Sequence, residues 1–262
     1  MIIKNFLYGL LIGIGFIVPG VSGGVIATII GIYNDLIYKI NHLFKDFKNN
    51  ILYIFPILLG VLLSIFLFSK IILYLINYHL EFISYIFIGL ILGCIPYLLN
   101  EIKNKSNKRI AFIPFFISFL FGIILFIVQK NNITSINNPS IIILIIAGFL
   151  YSLGKIVPGI SGAALLIFIG MYNYLLNIIA NPSIITLNII ISLIPFFISF
   201  IISSIIILKI IEYLLNNYFR YTYSSIIGLV ISSVLFIYPN TITIYYLIIS
   251  ILSFIISYEL SK

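Results

Sequence analysis

Ile17-Val18-Pro19-Gly20-Val21-Ser22-Gly23-Gly24 interrupts an apolar run near the start of the chain. Ile156-Val157-Pro158-Gly159-Ile160-Ser161-Gly162-Ala163 interrupts another in the same way, 139 residues later. The same spacing pairs Gly9 with Gly148, Leu11 with Leu150 and Gly15 with Gly154 upstream of the motif. Downstream it pairs Gly31-x-Tyr33-Asn34 with Gly170-x-Tyr172-Asn173, Pro56 with Pro195, and Gly89-Leu90 with Gly228-Leu229. It also pairs Lys70-Ile71-Ile72-x-Tyr74-Leu75-x-Asn77 with Lys209-Ile210-Ile211-x-Tyr213-Leu214-x-Asn216. A gapless register from Gly9 to Leu90 marks a tandem duplication, with a first copy over 1–130 and a second over 140–262.

The chain is 63% hydrophobic and 8% charged, with mean hydropathy +1.28. A soluble domain is apolar over only about 45–50% of its residues, so this composition excludes one. Apolar stretches long enough to cross a bilayer, about 20 residues, recur along the whole length. The single cysteine, Cys94, cannot form an internal disulfide. The net charge of +8 reports orientation in a membrane rather than affinity for nucleic acid. Lys4, the apolar residues after it and the small residues near Gly20 imitate a signal peptide. The same segment recurs at Gly148–Gly159, which favours reading it as part of the fold.

Residues 6–37 and 141–179 are apolar segments broken at their centres, with arms too short to span a hydrocarbon core of about 30 Å. Each is either a re-entrant hairpin or a discontinuous helix that crosses. Uninterrupted spans are expected at 51–76, 84–100 and 111–129 in the first copy, and at 187–214, 222–238 and 242–258 in the second. Polar connections are expected at 38–50, around His79 and Glu81, and in a basic loop carrying Lys103, Lys105, Lys108 and Arg109. With hairpins and a cytoplasmic N-terminus, Lys4, the 38–50 and 101–110 loops, Arg220 and Lys262 all fall inside, which is the positive-inside pattern. If the broken segments crossed, Arg220 and Lys262 would move outside. The charges therefore favour an all-α polytopic membrane protein of two inverted repeats, each a re-entrant helical hairpin plus about three transmembrane helices. Inverted repeats of this kind build many secondary transporters.

Within each break, Pro19 and Pro158 lack an N–H and suit a helix end. Ser22 and Ser161 stand where a hydroxyl caps the next helix. Gly20, Gly23, Gly24, Gly159 and Gly162 permit close backbone approach. A helix start aimed into the membrane offers free N–H groups to an anion, and inverted copies would bring two such starts together near the midplane. Lys155 precedes Ile156-Val157-Pro158-Gly159 deep in an apolar segment, where an ionisable residue is costly and marks function. Its counterpart in the first copy is Phe16. A snorkelling lysine is the structural alternative. Asn34 and Asn173 suit either a cavity lining or a helix cap. Lys70 and Lys209 read as interfacial anchors, and His42 and His79 as isolated loop residues. No catalytic residues, metal ligands or cofactor motifs are found; proton or sodium coupling is left open.

Pro19-Gly20-Val21-Ser22-Gly23-Gly24 followed by Gly31-Ile32-Tyr33, and Pro158-Gly159-Ile160-Ser161-Gly162 followed by Gly170-Met171-Tyr172, resemble the paired motifs of the DUF368 family of bacterial membrane proteins. The resemblance covers essentially the whole chain. It implies a multi-pass protein of the bacterial cytoplasmic membrane that is not an enzyme. Such a protein moves a polyprenyl-phosphate lipid, undecaprenyl phosphate, back across the membrane for reuse in cell-wall biogenesis, without nucleic-acid partners. A transporter of a small soluble anion and a non-transporting assembly protein are the two alternatives that the residues themselves allow.

Overall fold

The computed structural model describes residues 2–17, 22–130, 136, 138–172, 174, 175, 178, 186–237 and 243–260. Every regular element among these is helical. The first copy contributes α1 (Ile2–Ile17), α2 (Gly23–Ile29), α3 (Tyr33–Asn41), α4 (Phe47–Tyr78), α5 (Leu80–Ser106) and α6 (Phe112–Lys130). The second contributes α7 (Ile141–Ile156), α8 (Gly162–Phe168), α9 (Leu187–Asn217), α10 (Phe219–Ser233) with a 3-10 turn at Val234–Ile237, and α11 (Ile244–Leu260). Among the described residues, three helical stretches, Phe47–Phe68, Glu81–Ser106 and Leu187–Asn217, have the length and apolarity to cross a membrane, and shorter apolar helices accompany them. The protein is an all-helical polytopic membrane protein.

Its burial pattern is that of a lipid-facing molecule. Large apolar side chains stand exposed on the outer helices, among them Phe66, Ile113, Ile142 and Ile244. The interior collects α2, which is buried throughout, and the inner faces of α5 and α10 (Ile91, Leu98, Tyr223, Val230).

Four helix pairs carry most of the packing: α1 with α4, α7 with α9, α5 with α11 and α6 with α10. Hydrocarbon does not squeeze helices together, so close backbone approach at small residues has to hold them. A Cβ on Gly9 would strike the Ile57 carbonyl, and one on its repeat-equivalent Gly148 would strike the Phe196 carbonyl. A Cβ on Gly89 would strike the Ser250 carbonyl of α11, and one on its equivalent Gly228 the Phe115 carbonyl of α6. Hydroxyl and amide bonds to facing carbonyls add to this. Asn5 Nδ2 donates to Tyr53 O at 3.2 Å, Ser199 Oγ to Ile145 O at 2.6 Å and Ser257 Oγ to Leu90 O at 2.7 Å.

These contacts also give direction. Asn5, Gly9 and Gly13 of α1 meet Tyr53, Ile57 and Val61 of α4 in rising order, so the two helices run the same way. Ile145 and Ser152 of α7 meet Ser199 and Ser203 of α9, again in rising order. The chain therefore reverses between α1 and α4, and between α7 and α9. At one end of the bundle, Arg220 Nε donates to Arg109 O at 2.7 Å, and His42 Nδ1 lies 3.2 Å from Glu212 Oε1. The basic residues around α3, the α5–α6 connection and the start of α10 are thus gathered at that end, where α4 begins and α9 ends.

Several boundaries differ from the sequence expectation. The arm after each break is itself divided. Helix α2 closes in a Schellman motif, with Gly31 N bonding to Thr28 O at 3.0 Å and Ile32 N to Ala27 O at 3.0 Å. Gly170 N to Ile167 O and Met171 N to Leu166 O repeat it at 2.9 Å each. Gly31 and Gly170 take φ values of 80° and 72°, which a side chain rarely adopts. The 38–50 connection is mostly helical, α3 reaching Asn41 and α4 starting at Phe47. Only His79 separates α4 from α5, so Glu81 is already helical, as are Lys103 and Lys105 at the far end of α5. The expected span at 222–238 is the shorter α10 finished by its 3-10 turn.

Substituting Gly89 by Ala should destabilise the protein by roughly 1–3 kcal/mol, because the obstacle is backbone and cannot swing away. Gly31→Ala meets open space apart from the Tyr97 hydroxyl and should cost about 1 kcal/mol, from the left-handed φ alone. Thermal unfolding in a single detergent would rank the two.

Candidate functional site

The two breaks meet. Helix α7 ends at Ile156, and Val157, its C-cap, returns an N–H to Leu153 O at 2.9 Å. Pro158 follows in a buried turn, and Gly159, at φ 84°, lies flat against the Leu229–Val230 backbone of α10. Ser22 caps α2, its Oγ accepting from Val25 N at 3.3 Å. Gly24 rests against the Ile156 carbonyl and Pro158, where a Cβ would sit 3.2 Å from Ile156 O. Ser161 is buried immediately before α8 and its carbonyl accepts from Leu165 N at 3.1 Å. Gly162 touches Gly154 of α7. Of the residues expected here, the structure brings Ser22, Gly23, Gly24, Pro158, Gly159, Ser161 and Gly162 into one buried junction, with Lys155 half-buried at its side. Pro19, Gly20 and Asn173 lie outside the described residues.

Lys155 is the charge at this junction. Its Nζ stands 4.7 Å from the centre of the Phe16 ring and 5.0 Å from that of Tyr151. Among the described residues it has no carboxylate partner. Ser152, one turn earlier on α7, bonds Ser203 Oγ at 2.9 Å. Ser203 lies about 24 Å from the start of α9 and about 21 Å from its end at 1.5 Å per residue. That level is near the middle of α9, and Lys155, in the last turn of α7, stands about 4.5 Å nearer the end of α9.

Helix α3 buttresses the junction. Tyr33 Oη donates to Ile156 O at 3.1 Å, occupying a carbonyl that the end of α7 leaves free. Asn34 does not face the lysine directly; its Nδ2 donates to the Tyr223 hydroxyl of α10 at 2.6 Å, while its buried Oδ1 has no partner. Farther along, Asn41 Nδ2 donates to Glu212 Oε2 at 2.7 Å. His42, expected as an isolated loop residue, ends α3 and pairs with Glu212. Sequence reading missed Phe16, Tyr33, Tyr151 and Tyr223 as parts of the site, since aromatic residues in an apolar helix look like core. For Phe16 one signal was available: it is the repeat-equivalent of Lys155.

Two apolar grooves lie on the outer surface at the equivalent prolines, one of about 750 Å³ along α7–α9 at Pro195 and one of about 430 Å³ along α1–α4 at Pro56. Neither is lined by a charged side chain, so an anionic group has no reason to settle there.

A family model described as undecaprenyl phosphate translocase-like matches residues 12–253, which includes both breaks, Phe16 and Lys155. The chain belongs to this family. It is similar to the polyprenyl-phosphate transporter of Staphylococcus aureus, at 33% identity over 278 aligned positions covering 98% of this chain and 95% of the relative. It is also similar to the polyprenyl-phosphate transporter of Vibrio cholerae, at 32% identity over 184 positions covering 65% of this chain and 58% of that relative. No solved structure matches the chain. Membership of this family places the protein among transporters rather than enzymes.

Removing the Tyr33 hydroxyl with Tyr33→Phe should cost about 1 kcal/mol of stability, the net worth of one buried hydrogen bond. Tyr33→Leu should cost more, through lost packing as well. Denaturation in detergent of the two variants against wild type would separate the hydroxyl from the ring.

Proposed function

We propose that this protein carries a polyprenyl phosphate, undecaprenyl phosphate in particular, across the bacterial cytoplasmic membrane to recycle the lipid carrier of cell-wall biogenesis, and that Lys155 binds its phosphate. The observation that carries this reading is the Lys155 ammonium in the last turn of α7, beside the break, with two aromatic faces around it and no carboxylate among the described residues. A half-buried cation inside a membrane is costly without a counter-charge, and a phosphate supplies one. The prenyl chain needs no pocket of its own, because it can stay in the lipid while the head group passes. The names of the two relatives point to the same cargo.

In this reading the two breaks frame the phosphate and offer it backbone N–H groups next to Ser22 and Ser161. Helices α2 and α8 span only seven residues each, so most of the attraction comes from the ammonium. Both tips are closed over one another here, and loading requires them to part. The two copies are inserted in opposite orientations, so one tip opens toward each leaflet in turn. The parallel courses of α1 with α4 and of α7 with α9, and the meeting of the start of α4 with the end of α9 at the basic end, support re-entrant hairpins in opposed copies.

The test is exchange of undecaprenyl phosphate between leaflets of proteoliposomes. Wild type should exceed empty vesicles, and Lys155→Ala should lose at least about tenfold in rate, the loss expected when a charge-assisted bond goes. Lys209→Ala, on the exposed surface of α9, should behave as wild type. No exchange by wild type under either a proton or a sodium gradient would overturn the assignment. Orientation is checked with Lys45→Cys and Asn181→Cys, which should react with an impermeant thiol reagent from opposite sides of the membrane. The native Cys94 is buried and should stay silent.

A further inference from the structure

Phe16 and Lys155 occupy equivalent positions in the two copies, and they touch. The second ring, Tyr151, comes from α7 one turn before the lysine, so the ammonium takes one face from each copy. Each ring is seated on a glycine at the first residue of a short helix. A Cβ on Gly23 would come within 2.9 Å of the Phe16 ring, and one on Gly162 within 3.2 Å of the Tyr151 ring. Gly23 and Gly162 are themselves repeat-equivalent. The glycines at the tips therefore act as platforms for the rings.

We propose that Phe16 and Tyr151 are positioning residues that clamp the Lys155 ammonium in the unloaded protein and surrender it to the incoming phosphate monoester, so that the rings set how readily the head group leaves. The proposal rests on the reading of Lys155 as the head-group ligand. A cation over a ring face is attracted by the quadrupole, more strongly where water is excluded. The attraction holds an empty lysine in place yet is weaker than a buried ion pair, which would trap the cation. The rings carry no net charge, so their faces repel an approaching phosphate far more weakly than a carboxylate would. The clamp is divided between the copies, so parting the tips withdraws Phe16 from the ammonium just as the pocket becomes able to admit an anion. Closing the tips brings the ring back in competition with the phosphate and favours its release.

The experiment compares wild type with Phe16→Leu, Phe16→Trp, Tyr151→Leu and Lys155→Met. Binding of farnesyl phosphate, a detergent-soluble monophosphate, is measured by calorimetry, and exchange of undecaprenyl phosphate in proteoliposomes is followed as a function of lipid concentration. Phe16→Leu and Tyr151→Leu should each bind farnesyl phosphate about tenfold more tightly, since the empty ammonium has lost a partner. Their maximal exchange rates should fall because release slows. Phe16→Trp, which restores a stronger ring face, should return both quantities to wild type or beyond, an effect that volume alone would not produce. Unchanged or weaker binding by the leucine variants, or a tryptophan variant that resembles leucine, overturns the clamp. Wild-type binding by Lys155→Met would instead overturn the assignment of Lys155 as ligand, and the clamp with it.

Discussion

A helix interrupted inside a membrane leaves N–H and C=O groups that lipid cannot satisfy, so the interruption is tolerable only where protein surrounds it. The rest of this architecture follows from that constraint. Helix α2 is the most deeply buried element although it is among the shortest. Its start is capped by Ser22, its end by the Gly31 turn, and the loose carbonyl at the end of α7 by the Tyr33 hydroxyl. Ser22 and the Gly31 turn close α2 from within its own half of the chain, and Tyr33 of α3 reaches the end of α7 in the other. That last bond needs the two halves side by side at the interruptions, which is a physical reason for them to meet at the centre.

Meeting at the centre then dictates the periphery. The outer pairs α1–α4 and α7–α9 bring their backbones together at Gly9 and Gly148, and the crossed pairs α5–α11 and α6–α10 do the same at Gly89 and Gly228. Because α5 packs on the last helix of the second copy while α10 packs on the last helix of the first, neither copy forms a complete body alone. The helices that the sequence register makes equivalent, α5 and α10, each take their main partner from the other half of the chain. The apolar side chains that a soluble protein would bury stand outside, facing lipid, and the polar contacts are turned inward.

Much of this was legible from residues because the signals were repeated ones. The Pro-Gly-x-Ser-Gly breaks, the glycines at matching positions and the long apolar runs each occur twice, and the all-helical membrane fold follows from those runs. What escaped was whatever a period cannot encode. The division of each second arm at Gly31 and Gly170 depends on a single left-handed residue, which a Gly-x-Tyr sequence suggests but does not impose. The pairing of His42 with Glu212 joins residues far apart in the chain, and a lone histidine at a helix end carries no hint of its partner. At the junction, Lys155 stood out in the sequence because a cation in hydrocarbon needs a reason. The aromatic rings around it were not, because Phe and Tyr are as welcome in an apolar core as at a cation.

The asymmetry between the copies has a physical origin in their contact. Phe16 and Lys155 are equivalent positions that meet face to face, so a faithful duplication carrying lysine in both copies would set two ammonium groups side by side in a poorly screened interior. At separations of about 5 Å that repulsion amounts to several kcal/mol, a large share of a protein's whole stability. Two phenylalanines would remove the repulsion and the attraction for an anion together. One cation facing one aromatic ring keeps a single positive site where the copies meet and provides the unloaded site with a neutral partner. The same division shows one turn earlier, where Ser152 and Ser203 bond in the second copy while their equivalents Gly13 and Ser64 pack without a hydrogen bond, leaving Ser64 Oγ buried and unpartnered.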